Sequence, residues 1–289
     1  MKLSTRNRIA SYLLISGPLL WTLVFLFVPY LIMFSYSFYL TQFPLFIPAF
    51  QLGNYVQIFT EPQYYQVLLR TTKIAILVAS SAVMLAYPLA YFLVFKIKSD
   101  RVRMVLYMAV IVPLWVSYLL RSYTWKTILG REGVLNSFLV WIGILDKPTD
   151  IFLYNHFSMV VTLTYIFIPF MVMPIYTSLE KIPRNLIEAS KDLGLGPIRT
   201  FLNVTLPLSM PGVIAGATFT YCLTFGDFIA PFLVGGPNGM MVANVITSQF
   251  GASMNWPLGA ALSVIMLFVV LTIITVSDRF ERAGRIDLG

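Results

Sequence analysis

Glu188–Pro207, EASKDLGLGPIRTFLNVTLP, is a charged, glycine-punctuated segment set between two long apolar runs. An ordinary connection between such runs is a short solvated loop. This one carries helix formers from Ile187 to Leu193, then Gly194, a residue suited to the left-handed conformation that ends a helix. Gly196-Pro197 breaks the chain, and beyond it Phe201, Val204 and Leu208 put an apolar face on a second amphipathic run. The pattern predicts two short helices joined by a turn and lying on a membrane surface. A compact helix held rigidly there can sit in a cleft of another protein and transmit its movement.

The flanks of this segment set the fold class. The 289-residue chain is 58% hydrophobic and 11% charged, whereas soluble domains run near a quarter charged. Its apolar residues fall into six runs long enough to cross a bilayer, which takes about 20 residues per helix. They are Ser11–Leu40, Thr71–Phe95, Met104–Leu120, Phe157–Leu179, Ser209–Val234 and Leu258–Val276. The third is the weakest, because Pro113 interrupts it and Trp115 to Trp125 drifts polar. None of the runs alternates as the strands of a membrane barrel do. The expectation is an all-α membrane protein, residues 1–289 forming one transmembrane domain of six helices.

The net charge of +8 is distributed as a topology signal. Lys2, Arg6 and Arg8 precede the first span, and Lys96, Lys98, Arg101 and Arg103 join the second to the third. Lys181, Arg184, Lys191 and Arg199 lie in the polar segment, and Arg279, Arg282 and Arg285 follow the last span. The opposite side holds only Arg70, Lys73, Arg121, Lys126, Arg131 and Lys147. This bias puts both termini and the Glu188 segment in the cytoplasm and gives no reason to invoke nucleic acid. The first run exceeds the 7–15 residues of a signal peptide core and lacks a small-x-small cleavage site, so it reads as a retained helix. The single cysteine, Cys222, sits in an apolar run as a packing residue and excludes an internal disulfide.

Catalytic chemistry finds little support. There is no GxxxxGK[ST] loop for ATP. The one histidine, His156, lies at a span boundary without an HExxH motif, Cys-His cluster or carboxylate pair, and is expected to pack at the interface. No catalytic residue and no metal site is assigned. Outside the membrane, Thr41–Arg70 is a Pro- and aromatic-rich connection in which Asn54-Tyr55 and Glu61-Pro62 mark turns or helix starts. Asn136–Leu145 reads as a short apolar helix, and Gly235 to Gly239 as a sharp outer turn. Neither a linker nor an obvious internal duplication is visible.

Asp227 is the one acid inside a predicted span, where an ionised carboxylate costs about 2.5–3.5 kcal/mol on insertion scales unless it is paired, wet or functional. Placed roughly 27 Å beyond Ser209 at the helical rise, it falls near the outer end, next to Gly226, which can break the helix. Two roles stay open for it: helix capping or salt bridging, and lining a solute pathway. Tyr118, Trp125, Tyr221 and Phe225 are aromatic candidates for the same pathway, able to offer cation–π contacts to an amine.

The polar segment resembles the signature of bacterial ABC importer permeases: Glu-Ala-Ala, three residues, Gly, nine residues, then Ile-x-Leu-Pro. Glu188, Ala189, Gly194, Leu206 and Pro207 match it, while Ser190 replaces the second Ala and Val204 the Ile. The resemblance implies a type I importer permease, its cytoplasmic coupling helix lying between spans four and five within about 180–208. Glu188, Ala189, Ser190, Asp192, Leu193, Gly194, Leu206 and Pro207 would then form the element that docks on an ATPase subunit. It further implies a bacterial inner (cytoplasmic) membrane location and a second permease subunit in a heteromeric pair. Two ATPase subunits holding ATP and magnesium, and a periplasmic or extracellular substrate-binding protein, complete the implied assembly, with no cofactor in this chain. Leu120–Asn136 resembles an outer loop of spermidine/putrescine-type permeases, as do Tyr165–Tyr176, Gly226-Asp227-Phe228 with Pro231 and Gly235-Gly236-Pro237, and Asn255-Trp256-Pro257. Related permeases for ferric ion, aminophosphonate or opine-type compounds share this scaffold, so the cargo stays open among them. The competing class is a self-sufficient secondary transporter or channel.

Overall fold

The computed structural model describes residues 16–42 and 45–284, with side chains to residue 281. The start of the first run, the basic residues Lys2, Arg6, Arg8 and Arg285 and the Arg282 side chain lie outside this description, and so do both termini. Among the described residues five helices are long and apolar enough to cross a membrane: α1 (Ser16–Tyr36), α3 (Pro62–Phe95), α7 (His156–Glu180), α9 (Pro197–Phe225) and α11 (Trp256–Glu281 of a helix continuing to Gly284). The short helices α2 (Gly53–Thr60) and α10 (Val242–Phe250) precede α3 and α11 in the chain.

The third expected span departs from expectation. Met104–Leu120 is not one helix. Helix α4 (Asp100–Ile111) runs into a 3-10 turn at Val112–Trp115, the backbone extends at Val116 and Ser117, and α5 (Tyr118–Leu129) sets off in a new direction. The two arms, Asp100–Trp115 and Tyr118–Trp141, meet at 96°. Pro113 supplies the cause: it has no N–H for the ladder and its ring crowds the preceding turn. Helix α6 (Val134–Trp141) follows, shorter than the expected Asn136–Leu145 because Gly143, with φ +76°, ends the turn.

The fifth span also shifts, from the expected Ser209–Val234 to Pro197–Phe225. The second amphipathic run is therefore no separate helix; it is the start of α9. A π-turn at Phe201–Thr205 makes the join. Pro207 cannot donate to the carbonyl four residues back, and the ladder widens just before it, with Leu206 N–H reaching Phe201 O. At the other end Gly226 stops the helix, so Asp227 stands outside it.

The chain divides into two compact units. The first comprises residues 1–62 and 246–267. Here α1 exposes its whole surface, none of its residues being buried, as befits a helix whose solvent is hydrocarbon. A two-stranded antiparallel hairpin, Leu40–Gln42 with Leu45–Ile47, follows. Asn54 at the start of α2 donates to the carbonyls of Ser37 and Tyr39, both at 2.9 Å, and Tyr55 Oη donates to Ser37 Oγ. Thr41 Oγ1 bonds Asn255 Oδ1 at 2.7 Å, and Trp256 stacks on Phe46.

The second unit, residues 63–245 and 268–289, holds the buried core. Small residues Ala82, Ala86 and Ala90 line one face of α3 and let Met171, Val172, Ile175 and Leu179 of α7 approach closely. A second cluster joins Ile74 and Val78 to Met159, Leu163, Ile166, Leu233, Val234 and Met241. Helices α7 and α9 meet through Gly212 and Gly216, a G-x-x-x-G spacing that lets two helices pack backbone to backbone. A Cβ at Gly212 would collide with the Pro174 carbonyl oxygen and the Ser178 side chain.

Candidate functional site

Two regions collect the residues singled out in the sequence. The first is the polar segment. Helix α8 (Arg184–Asp192) ends in a complete Schellman motif. Leu195 N–H bonds Ser190 O at 3.1 Å, Gly194 N–H bonds Lys191 O at 2.8 Å, and Gly194 itself has φ +80°. The serine that departs from the family pattern is buried and structural. Ser190 Oγ lies 3.0 Å from Thr200 Oγ1 and so ties α8 to the first turn of α9. The segment is also anchored to the bundle. Phe201 packs edge-on against Tyr87 and Tyr91 of α3, Tyr87 Oη pairs with Ser209 Oγ at 2.8 Å, and Ile187 and Leu206 pack on the α3–α7 core.

The eight candidate docking residues thus divide. Glu188, Ala189, Asp192, Leu193 and Gly194 are exposed together, Ser190 is internal, and Leu206 and Pro207 are half-buried at the root of α9. The face gains two large apolar side chains at its tip: Leu193 is 83% exposed and Ile198 is 72% exposed. Ile198 escaped the sequence reading because it is not part of the signature. Nothing lies within 4 Å of where a Cβ on Gly194 would stand, so substitution there meets only backbone strain. Gly194→Ala should accordingly cost about 1–2 kcal/mol of local stability, seen as a small drop in melting temperature with normal membrane insertion. Gly194→Asp adds a charge to the exposed face and should in addition weaken ATPase co-purification. If Gly194→Ala weakens co-purification as much as Gly194→Asp does, the charge is irrelevant.

The second region lies where helices break. After Gly226 the chain leaves helical geometry, and non-helical backbone at membrane depth must be satisfied by protein or by a wet cavity. Polar side chains from several helices do this. Asp227 Oδ1 accepts from Ile229 N–H at 3.0 Å, capping the turn that leads into the π-helical Pro231–Gly235. Asn244 Nδ2 donates to Phe228 O at 2.7 Å. Ser158 Oγ, on α7, donates to Val234 O, and Thr71 Oγ1, on α3, accepts from Val242 N–H. Arg70 reaches Asn238 O in the outer turn. None of Arg70, Thr71, Ser158 and Asn244 was recognised from sequence, where each is an ordinary polar residue at a span end.

The structure joins four of the five pathway candidates in two pairs, Tyr118 with Asp227 and Tyr221 with Phe225. Tyr118 Oη donates to Asp227 Oδ2, and both residues belong to helix breaks. Trp125 is turned away against Tyr165, ring centroids 5.3 Å apart. Tyr221 borders a cavity of about 250 Å³ with Ile76, Ala79, Ser80 and Ile273. Phe225 is fully buried on the inward face of α9 and stacked on Tyr221. His156, expected to pack at the interface, is exposed as the first residue of α7, behind the Asn155–Ser158 capping box.

Arg121 joins this group unforeseen. It is 8% exposed, as Asp227 is, and makes no ion pair among the described residues. Its guanidinium lies over the Tyr118 ring, 5.8 Å from the centroid, and Nη1 donates to Ile166 O at 3.2 Å, on α7.

Helices that span, a charged surface segment rooted in the bundle and broken helices sealed by polar side chains define a membrane-embedded transport subunit. Residues 82–283 match the family model described as binding-protein-dependent transport system inner membrane component, and the chain belongs to that family. It is 36% identical over 263 residues to the spermidine/putrescine transport system permease protein PotB of Escherichia coli (strain K12), covering 91% of this chain and 94% of that one. It is 34% identical over 271 residues to the inner membrane ABC transporter permease protein YdcU of the same strain, covering 90% and 86%. Among solved structures it resembles a chain of a bacterial alginate ABC transporter in complex with alginate pentasaccharide-bound periplasmic protein, with a TM-score of 0.78 at 17% identity over 97% and 96% of the two chains. A chain of the inward-facing MetNI methionine ABC transporter gives a TM-score of 0.58 at 18% identity, over 78% and 99%. The fold is that of type I ABC importer permeases, and the self-sufficient carrier considered above falls away.

Proposed function

We propose that this chain is a permease subunit of an ATP-driven importer that carries a polyamine such as spermidine or putrescine. Relatives named for spermidine and putrescine transport, matched over nine-tenths of both chains, carry this reading. The subunit works with a second permease, two ATPase subunits that hold ATP and magnesium, and a substrate-binding protein outside the membrane. Both termini and the Glu188 segment face the cytoplasm, as the distribution of Lys and Arg supports. ATP binding closes the ATPase pair and draws the coupling segments together. Because α8 is tied through Thr200 to α9, and Phe201 is wedged against α3, that displacement reaches the spans and alternates the cavity between inward- and outward-facing.

Reconstitution tests the reading directly. Proteoliposomes holding the full transporter and binding protein are expected to accumulate labelled spermidine only with internal ATP, and those holding this chain alone are expected to accumulate none. Ion-gradient-driven uptake by the chain alone would refute the assignment.

A further inference from the structure

Tyr118 stands between two buried charges. Its hydroxyl donates to Asp227 Oδ2, and the face of its ring lies against the Arg121 guanidinium. The two carboxylate oxygens are therefore held differently. Oδ1 takes a backbone N–H from Ile229 and cannot give it up without undoing the turn into Pro231–Gly235. Oδ2 is held by a side chain at the first residue of α5, immediately after the extended residues Val116 and Ser117 that break the span, and rotation about its own bonds can release it.

We propose that Tyr118 is a cover that the solute displaces from Asp227: the position its hydroxyl holds is the one an alkylammonium group takes during transport. This rests on the amine-importer reading above. Two features favour an ammonium. The carboxylate is one charge in a buried, low-dielectric setting, where a cation that loses its water needs a compensating anion. Arg121, the nearby buried cation, is kept on the ring face and drawn off to the Ile166 carbonyl, so it makes no ion pair with Asp227 that would neutralise it. Covering the carboxylate with a neutral donor keeps the site satisfied when no solute is bound. The bond that must be surrendered raises the apparent dissociation constant by the inverse of the fraction of time the site is uncovered.

Tyr118→Phe tests this in the full transporter with labelled spermidine and putrescine. It removes the competing hydroxyl and keeps the ring beneath Arg121. The expected result is a KM lowered about tenfold, the size of one hydrogen bond to a charged group. Asp227→Asn should raise KM by at least about tenfold, and in that background Tyr118→Phe should bring no improvement, since there is no carboxylate left to uncover. Tyr118→Leu, which also lacks the hydroxyl, guards against a defect peculiar to Phe, and melting temperatures separate lost stability from changed affinity. A KM unchanged in both hydroxyl-free variants, or lowered equally with and without Asp227, overturns the cover while leaving amine import in place. A wild-type transporter that takes up no amine overturns both.

Discussion

Replacing Leu193 and Ile198 together by aspartate is expected to abolish ATP-driven uptake while leaving the chain folded in the membrane. Both side chains project from the tip of the polar segment, 83% and 72% exposed, and neither contributes to the buried core. Burying such a side chain in a partner's cleft is worth about 1.5–3 kcal/mol. Losing two of them and placing two carboxylates at an apolar contact therefore weakens docking by at least about 4 kcal/mol, or roughly a thousandfold. The measurement is co-purification of the ATPase subunits with the variant, alongside uptake and melting temperature. Retained ATPase binding with normal uptake would show that the tip does not dock, and that the contact lies elsewhere on the segment. A drop in melting temperature would mean that the two residues serve folding.

The second large effect is expected at the contact of α7 with α9. Gly212→Val should prevent accumulation of folded protein, because the added side chain meets the backbone carbonyl of Pro174, which cannot rotate aside. Gly212→Ala should destabilise by about 1–3 kcal/mol, the usual range for overpacking. Gly216→Ala should cost less: a Cβ there lies 2.8 Å from Met171 Sδ, the far part of a flexible side chain. Thermal unfolding in detergent gives the ranking, and equal stability of the two alanine variants would remove Gly212 as the residue that sets the helix spacing. Since Ser178, opposite Gly212, lies just ahead of the polar segment, an intermediate variant that folds should also show impaired coupling of ATP hydrolysis to uptake.

The class of fold was legible in the sequence because the bilayer imposes a simple test. A helix must cross about 30 Å of hydrocarbon with its backbone satisfied internally, so apolar length alone marks a span. Basic residues mark a side for an equally local reason. The end of α8 was legible too: a left-handed terminal residue costs little only for glycine, and Gly194 sits where the Schellman bonds require it. What local patterning could not yield is where helices break and what seals the breaks. Pro113 announced an interruption, but the 96° turn depends on where α5 packs next. Pro207 lies inside a helix that starts at Pro197, because a π-turn absorbs the missing donor. The partners Tyr118 and Asp227, and Arg121 with Ile166, are separated by 109 and 45 residues, so no local pattern announces either bond. Composition and periodicity determined that this chain spans a membrane and which short motif shapes its polar segment. The tertiary structure alone decided that two helix breaks converge on Tyr118, Arg121 and Asp227, because buried polar groups must find partners and only packing brings those partners within reach.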